Sequence, residues 1–279
     1  MKTTISNIAW QKEFDTAMYS FLQQNNIHGI EIAPTRIFEE NPYSDLEKVQ
    51  VFKGSLQQNF HLKVVSMQSI CFGRNEAIFQ SIEERTTLQK YIEKAIDFAA
   101  ELNCNNLVFG SPKNRIIGEN QMPLAITYFK ELGNYAYSKN TVFAFEPNPV
   151  IYGTNFINTT AQSFELIKQC NSPGLKVNFD LGTFIYNNED LTIVDKNIQL
   201  INHVHISEPY LEKIKVTSLH SELADVLRKN NFSHYISIEM KQGMPYKDLF
   251  IWILTNKKPI IKSKMKSNIL KYTLVVCLL

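Results

Sequence analysis

The feature that most constrains the fold is an eightfold alternation of two kinds of segment. Short runs rich in β-branched and aromatic residues recur, and a longer run with apolar positions at helical spacing follows each of them. The predicted strands are residues 4–10, 29–34, 63–70, 105–111, 141–147, 175–181, 203–207 and 234–240. Their starts lie 25 to 42 residues apart, which is enough for one strand and one crossover helix.

The segments between the strands carry helix signals of their own. In residues 81–103, Leu88, Ile92 and Ala95 belong to one apolar stripe, and Ser81 with Glu84 forms a capping-box pattern. Further helices are predicted at 11–24, 44–59, 123–138, 160–169 and 218–230. Eight uninterrupted strand–helix units predict an α/β fold of the (β/α)8 TIM-barrel type. A doubly wound open sheet is the alternative, but no GxGxxG or GxxxxGK[ST] follows a strand, which removes its usual nucleotide-binding forms.

The domain prediction divides the chain near residue 256. Residues 1–256 are expected to form a single barrel with an eighth helix that starts within 246–255, and residues 257–279 a basic and apolar C-terminal tail. Six lysines follow Asp248, the last acidic residue, so residues 1–256 carry 23 basic and 27 acidic groups. An acidic body offers no broad attraction for phosphate backbones, and nucleic acid is therefore not expected as a partner.

Composition and cysteine spacing point to the cytoplasm. Hydrophobic residues make up 44% of the chain and charged residues 20%, as in ordinary globular proteins. Four widely spaced cysteines without a CxxC pair are typical of reduced, buried thiols. The N-terminal segment lacks the apolar core of a signal peptide, and no apolar run reaches 18 residues, so no membrane partner is expected. Whether the chain forms a homo-oligomer is left open.

Four consecutive predicted strands end in residues that suit a metal ion. Glu146, Asp180, His205 and Glu239 close strands five to eight, each after strongly apolar strand sequence. Chemistry in this fold occurs at the carboxyl ends of the strands, and neighbouring strands are about 4.8 Å apart. Three crowded carboxylates repel one another unless a cation neutralises them, so the pattern predicts one divalent cation held by these four residues.

The same residues resemble a known family. The strings FAFEPNP, KVNFDLGT, HVHISEP and YISIEM, with ligand spacings of 34, 25 and 34 residues, look like the xylose isomerase-like TIM barrels, specifically the sugar phosphate isomerase/epimerase group. The resemblance implies that one manganese, magnesium, cobalt or zinc ion is bound by Glu146, Asp180, His205 and Glu239. It also implies that Glu146 and Glu239 are the catalytic acid and base, and that the substrate is a small carbohydrate.

The expected reaction is isomerisation or epimerisation of a small sugar, sugar phosphate or related keto-polyol through a metal-stabilised enediolate. Two departures from the family pattern bear on the substrate. Ketose 3-epimerases of this kind carry a histidine where this chain has Thr183, and a basic residue where it has Leu211. These differences speak against a free-ketose 3-epimerase.

Other polar residues near strand ends are candidates for substrate binding. Gln68, Arg115, Glu208 and His220 are predicted in that role, with Arg115 suited to a phosphate or carboxylate. Three further residues are secondary candidates: Glu31 and Trp10 could line the pocket, and His203 reads as a hydrogen-bonded core or ligand-supporting histidine.

Three alternative functions remain. A lyase or dehydratase of the same superfamily could use the same site, and a barrel that kept its metal ligands but lost its substrate contacts could act without catalysis. An endonuclease IV-like DNA-repair hydrolase would need more histidines, where this chain has Pro34, Gln68, Ser111 and Thr183.

Overall fold

Eight parallel strands arranged in a ring form the centre of the molecule. The computed structural model describes residues 1–243 and 248–249. Its strands are β1 (Lys2–Ile5), β2 (Gly29–Ile32), β3 (Lys63–Met67), β4 (Leu107–Phe109), β5 (Phe143–Phe145), β6 (Leu175–Asp180), β7 (Ile201–Ile206) and β8 (Tyr235–Ile238). They pair in the order β1-β8-β7-β6-β5-β4-β3-β2, and one parallel bridge between Ser6 and Glu31 joins the ends of β1 and β2. The result is a nearly closed barrel, which confirms the predicted fold class.

Helices connect the successive strands. They are α1 (Asp15–Gln24), α2 (Pro34–Ile37), α3 (Leu46–Phe60), α4 (Ile82–Glu101), α5 (Met122–Ser138), α6 (Thr160–Cys170), α7 (Leu181–Tyr186), α8 (Thr192–Asn197) and α9 (Ser218–Lys229). The six predicted crossover helices correspond to α1, α3, α4, α5, α6 and α9 to within four residues at either end. The predicted eighth helix within 246–255 and the tail 257–279 lie outside the described residues, except for 248 and 249.

The strands are short and buried on both faces, as expected for a parallel sheet covered by helices. Every residue of β2, β4 and β5 is buried. Phe109 and Phe145, on adjacent strands, both pack against Phe129 of α5, with ring centroids 5.6 and 5.0 Å away. Such interlocked aromatic packing fixes the strands from which the site residues project.

The structure corrects two local predictions. The first strand starts at Lys2 and ends at Ile5, so the predicted strand over 4–10 is wrong beyond Ile5. The chain turns there because Asn7 directs its side-chain oxygen to the main-chain N–H of Ala33, 2.8 Å away, and residues Asn7–Ala9 form a short 3-10 helix. Between β6 and β7 the chain forms α7 and α8, which the sequence pattern did not predict as separate helices.

The capping box predicted at the start of α4 forms only in part. The Ser81 hydroxyl accepts from Glu84 N at 3.1 Å, but the Glu84 carboxylate accepts from Ala77 N at 2.8 Å and so fastens the preceding loop. Cys71, Cys104 and Cys170 are buried free thiols. Within the described part of the chain, no helix combines the length and apolarity that crossing a membrane requires.

Candidate metal centre

The structure brings the four predicted metal ligands together at one end of the barrel. Glu146 follows β5 directly, Asp180 ends β6, His205 lies near the end of β7, and Glu239 follows β8 directly. One ligand atom from each of the four lies within 4.8 Å of the others. The carboxyl ends of four consecutive strands therefore converge on one point.

Strand register explains this convergence. Asp180 and His205 are directly paired across β6 and β7. The main-chain N–H of Glu239 donates to Ile206 O at 2.9 Å, and that of Glu146 donates to Phe109 O at 3.1 Å, so each strand-end glutamate is tied to the neighbouring strand. Because side chains alternate along a strand, these residues all point into the barrel mouth.

Glu146 is held by its neighbours on both sides. Asn178 Nδ2 donates to Glu146 Oε1 at 2.7 Å, from a position two residues before Asp180 and so on the same face of β6. On the other side, Gly110 has no side chain, and the Glu146 carboxylate occupies the space that a Cβ at this position would need. The carboxylate is thereby directed toward β6 and β7.

Asp180 is buried and fully engaged. Thr183 N donates to its Oδ1 at 2.6 Å, and the Ser207 hydroxyl donates to its Oδ2 in a short contact. Burial raises the pKa of Asp180, and the nearby charge of Glu146 raises it further, while the two donors oppose this shift. The group therefore has a fixed orientation and an environment that favours a compensating positive charge.

His205 lies between the carboxylates. Its Nδ1 is 2.9 Å from Glu146 Oε1 and 3.0 Å from Glu239 Oε2, yet it is aligned for a hydrogen bond with neither. Burial alone would lower the pKa of His205, but Glu239 and Glu31 beside it raise that pKa well above its usual value. Nδ1 is thus a buried nitrogen beside two carboxylate oxygens, and it has no aligned hydrogen-bond partner in the described part of the chain.

Glu239 shows the cost of placing carboxylates together. Burial raises its pKa to about 7, His205 opposes the rise, and the charges of Glu146 and Asp180 add to it. A divalent cation among these oxygens would remove that cost, because it neutralises the charges that repel one another.

The donor set fits such an ion. Three carboxylates and one imidazole form an oxygen-rich site of the kind that manganese, magnesium, cobalt and zinc accept. The unaligned Nδ1 of His205 would supply the nitrogen ligand. The residues present therefore fit a divalent cation.

Each of the four predicted substrate-binding residues has contacts of its own within the protein. Gln68 is buried; its amide donates to Ser6 Oγ at 2.8 Å, inside the barrel. Glu208 is half-buried and accepts from Lys215 N at 2.8 Å. His220 is buried at the start of α9, where its Nδ1 accepts from Thr217 N at 3.2 Å.

Arg115 lies beside the centre rather than on an exposed loop. Its guanidinium is 0% exposed and lies over the Phe145 ring, 4.6 Å from the centroid. Nη2 donates to Glu146 O at 3.0 Å and to Asn148 Oδ1 at 2.6 Å, while Nε and Nη1 have no hydrogen-bond partner among the described residues. This placement makes Arg115 a support for the β5 end, and its contact with a substrate stays a prediction.

Sequence reasoning missed two tyrosines near the centre. The Tyr152 hydroxyl accepts from Tyr210 N at 2.8 Å, and the two rings meet edge to face with centroids 6.3 Å apart. Burial raises the pKa of Tyr152 to about 12, and the charges of Asp180, Glu239 and Glu146 contribute to the rise. No motif marks either tyrosine, because loop folding alone brings them beside the carboxylates.

Comparisons with known proteins agree with the observed architecture. The sequence profile of the xylose isomerase-like TIM barrel family matches residues 20–256. A search of the curated proteins finds no sequence relative.

Solved structures with the same fold include several enzymes of sugar chemistry. A 3-keto-D-glucoside 4-epimerase from E. coli matches with a TM-score of 0.71 and 21% identity, over 90% of this chain and 98% of that one. A D-psicose 3-epimerase from Clostridium cellulolyticum H10, solved with D-tagatose, matches with a TM-score of 0.72 and 13% identity, over 88% and 86%. A probable 3-DHS dehydratase from Bacillus anthracis matches with a TM-score of 0.66 and 17% identity, over 92% and 100%. At these identities the likeness concerns the fold.

Proposed function

Because the chain belongs to the xylose isomerase-like TIM barrel family, we propose that it is a divalent-metal-dependent isomerase or epimerase of a small sugar, sugar phosphate or related keto-polyol. The observation that carries the proposal is the convergence of Glu146, Asp180, His205 and Glu239 within 4.8 Å at the ends of β5 to β8. That arrangement provides three carboxylates and one imidazole that suit a metal ion. Two of the carboxylates are glutamates that project from different strands, β5 and β8.

The four residues would hold one manganese, magnesium, cobalt or zinc ion. When bound, such a cation polarises a substrate carbonyl and favours negative charge on its oxygen, which acidifies the adjacent C–H. Asp180, fixed by Thr183 and Ser207, and His205, wedged between two carboxylates, are suited to act as ligands only.

Glu146 and Glu239 are the proposed acid and base. They project from β5 and β8, with β6 and β7 between them, so they approach a substrate in the mouth from different directions. Both side chains are carboxylates, which can accept a proton from carbon and return one. One glutamate removes the proton from carbon, and the other returns a proton to the opposite face or to the neighbouring carbon.

The tyrosines supply surface for a sugar. Tyr152 and Tyr210 form an edge-to-face pair, and the Tyr152 hydroxyl lies near the carboxylates. Aromatic rings with a few polar groups are typical walls of small-molecule sites. Glu208, in the same loop as Tyr210, is a proposed polar contact for the substrate. Gln68, Arg115 and His220 remain proposed substrate contacts as well.

A dehydratase is the second candidate. The structural likeness to the probable 3-DHS dehydratase supports it, because the same fold hosts that chemistry. The same proton abstraction next to a carbonyl can also expel a hydroxyl group from the β-carbon. The two outcomes differ in product, since a dehydratase releases water and an epimerase conserves the formula.

The test combines metal analysis with proton exchange in heavy water. We expect about one divalent ion per purified chain. D-fructose, D-tagatose, D-psicose, 3-keto-D-glucosides and ketose phosphates would be incubated in D2O and followed by NMR for deuterium at carbon. Deuterium uptake with an epimer or isomer as product supports the proposal, and loss of water supports the dehydratase.

Glu239→Gln provides the decisive variant. It keeps the shape of the side chain but removes the proton acceptor, so exchange should fall at least about a hundredfold. Glu189→Gln is the matched control, because Glu189 caps α6 through Thr160 and Ala161 and contacts none of the four proposed ligands. Full exchange activity in Glu239→Gln would contradict the assignment, and a metal-binding protein inert toward every substrate class would favour the non-catalytic alternative.

A further inference from the structure

A second polar cluster lies inside the barrel, directly behind His205. It consists of Glu31 from β2, His203 and His205 from β7, and Ser237 from β8, and all four side chains are buried. His205 Nε2 lies 2.9 Å from Glu31 Oε2, and Ser237 Oγ donates to Glu31 Oε1 at 3.0 Å. Each oxygen of this one carboxylate is thus engaged by a different strand.

His203 approaches the same oxygen as His205. Its Nε2 is 3.2 Å from Glu31 Oε2, though without the alignment of a good hydrogen bond. The His203 and His205 rings meet edge to face, with centroids 5.4 Å apart and an interplanar angle of 89°. Because the Glu31 carboxylate is packed between the His203 ring and Ser237, it has little freedom to turn away from His205.

The contact dictates which ring nitrogen of His205 carries hydrogen. An ionised carboxylate accepts hydrogen bonds and cannot donate them, so Nε2 must be the donor. Nδ1, on the opposite side of the ring, is then the nitrogen that can bind a cation once its own proton has left. That side faces Glu146 Oε1 and Glu239 Oε2, at 2.9 and 3.0 Å.

We propose that Glu31 is a positioning residue that fixes the ring orientation and tautomer of His205, so that Nδ1 is presented to a divalent cation at the ends of β5 to β8. The inference rests on the proposed function, since it assumes that a cation binds there. Carboxylates that hold the far nitrogen of a metal-bound histidine raise its basicity, and their loss typically costs about 10- to 100-fold in metal affinity.

Glu31 could instead be a ligand of a second ion, because Glu31, His203 and His205 also place three ligand atoms together. The contacts favour positioning. Ser237 takes one oxygen of Glu31, both histidines approach the other at hydrogen-bond distance, and His205 cannot donate from Nε2 and bind a metal through it at once. The number of ions per chain distinguishes the two cases.

The experiment titrates metal-stripped protein with Mn2+ and with Zn2+ by calorimetry. Glu31→Gln keeps an acceptor oxygen, so we expect it to bind about tenfold more weakly than the wild type. Glu31→Met removes the acceptor at similar volume, and we expect a loss of about a hundredfold. Glu189→Gln is the matched control, expected to lower the thermal midpoint but to leave metal affinity unchanged.

A spectroscopic readout separates positioning from a general effect on folding. In Zn2+-loaded wild type, 15N-labelled histidine spectra should show His205 protonated at Nε2 and bound through Nδ1. In Glu31→Met that signature should be lost or mixed with the other tautomer. If Glu31→Met does not fold, the Gln variant decides by the same two measurements.

The outcomes keep this inference separate from the proposed function. One ion per wild-type chain with graded loss in the Gln and Met variants supports it. One ion with unchanged affinity in both variants overturns the role of Glu31 and leaves the proposed function intact. Two ions per wild-type chain overturn it in favour of a ligand role, and a wild type that binds no ion overturns this inference and the metal-dependent function together.

Discussion

The backbone of Gly110 lies against the carboxylate of Glu146, so closely that a Cβ at position 110 would stand 2.6 Å from Glu146 Oε2. Gly110 follows β4 and Glu146 follows β5, and the two strands are paired along their whole length. The absence of a side chain at the first strand end therefore determines where the carboxylate of the second can lie.

Gly110→Ala should disturb the centre while sparing the fold. The added methyl group meets the end of a flexible side chain, so the Glu146 carboxylate moves and the backbone need not. We expect Mn2+ affinity to fall about tenfold or more, as for other changes that displace a ligand, with a change in unfolding free energy of about 1 kcal/mol or less. Calorimetric titration and urea denaturation measure the two effects.

Gly54→Ala is the matched control for this substitution. Gly54 lies within α3, and a Cβ there meets nothing within 4 Å. Alanine should stabilise this helix by about 0.5–1 kcal/mol and leave metal affinity unchanged. If Gly110→Ala bound Mn2+ as tightly as Gly54→Ala, Glu146 would not be a ligand.

Metal binding should strengthen as the pH rises toward neutrality. Burial raises the folded-state pKa of Glu239 from 4.5 to about 7, and Asp180 and His205 also have raised pKa values. Groups whose pKa is raised by folding stabilise the protein at low pH, and this contribution is lost as pH rises through the folded-state value. Without added metal, stability should therefore fall between about pH 4.5 and pH 7.

A cation that replaces those protons reverses the trend. We expect Mn2+ to raise the thermal midpoint more at pH 7.5 than at pH 5.5, and to release protons on binding. Calorimetry in two buffers of different ionisation enthalpy counts the protons released. A binding enthalpy independent of the buffer at pH 6 would contradict the raised pKa of Glu239.

Tyr152→Phe should weaken substrate binding without affecting the metal. The change removes the hydroxyl that accepts from Tyr210 N, and with it a donor near the carboxylates. Loss of one hydrogen bond, about 0.5–1.5 kcal/mol, corresponds to an increase in KM of between about twofold and about tenfold. Tyr137→Phe, on an exposed ring of α5, is the control. An altered Mn2+ affinity in Tyr152→Phe would instead place this tyrosine among the groups that shape the metal site.

The sequence predicted those parts of the site that follow from strand position. Glu146, Asp180, His205 and Glu239 could be predicted to converge because parallel strands in a barrel end at the same rim, and each follows an apolar strand. Asn178 could have been added by the same reasoning, since it lies two residues before Asp180 and so on the same face.

The remaining contacts depend on distances that no local pattern encodes. Tyr210 reaches Tyr152 across 58 residues of sequence through a loop in which Tyr210 itself has a φ of 62°. Non-glycine residues seldom adopt that conformation, so sequence alone gives no reason to expect it. The burial of Arg115 could not be predicted from the sequence either, because a cation in the segment GSPKNR is typical of an exposed loop.

Arg115→Lys tests whether this buried guanidinium supports the β5 end or binds an anion. Lysine keeps the charge but cannot donate from one planar nitrogen to both Glu146 O and Asn148 Oδ1. If Arg115 is a support, the variant should lose about 1–3 kcal/mol of unfolding free energy, and inorganic phosphate should shift the thermal midpoint of neither protein. Lys113→Ala, at an exposed cation two residues earlier, controls for the loss of nearby charge and should be close to neutral. If phosphate stabilises the wild type and the Lys113 variant but not Arg115→Lys, the prediction that Arg115 binds an anion is supported. The anion would contact Nε and Nη1, the only nitrogens of this guanidinium that lack a hydrogen bond within the described residues.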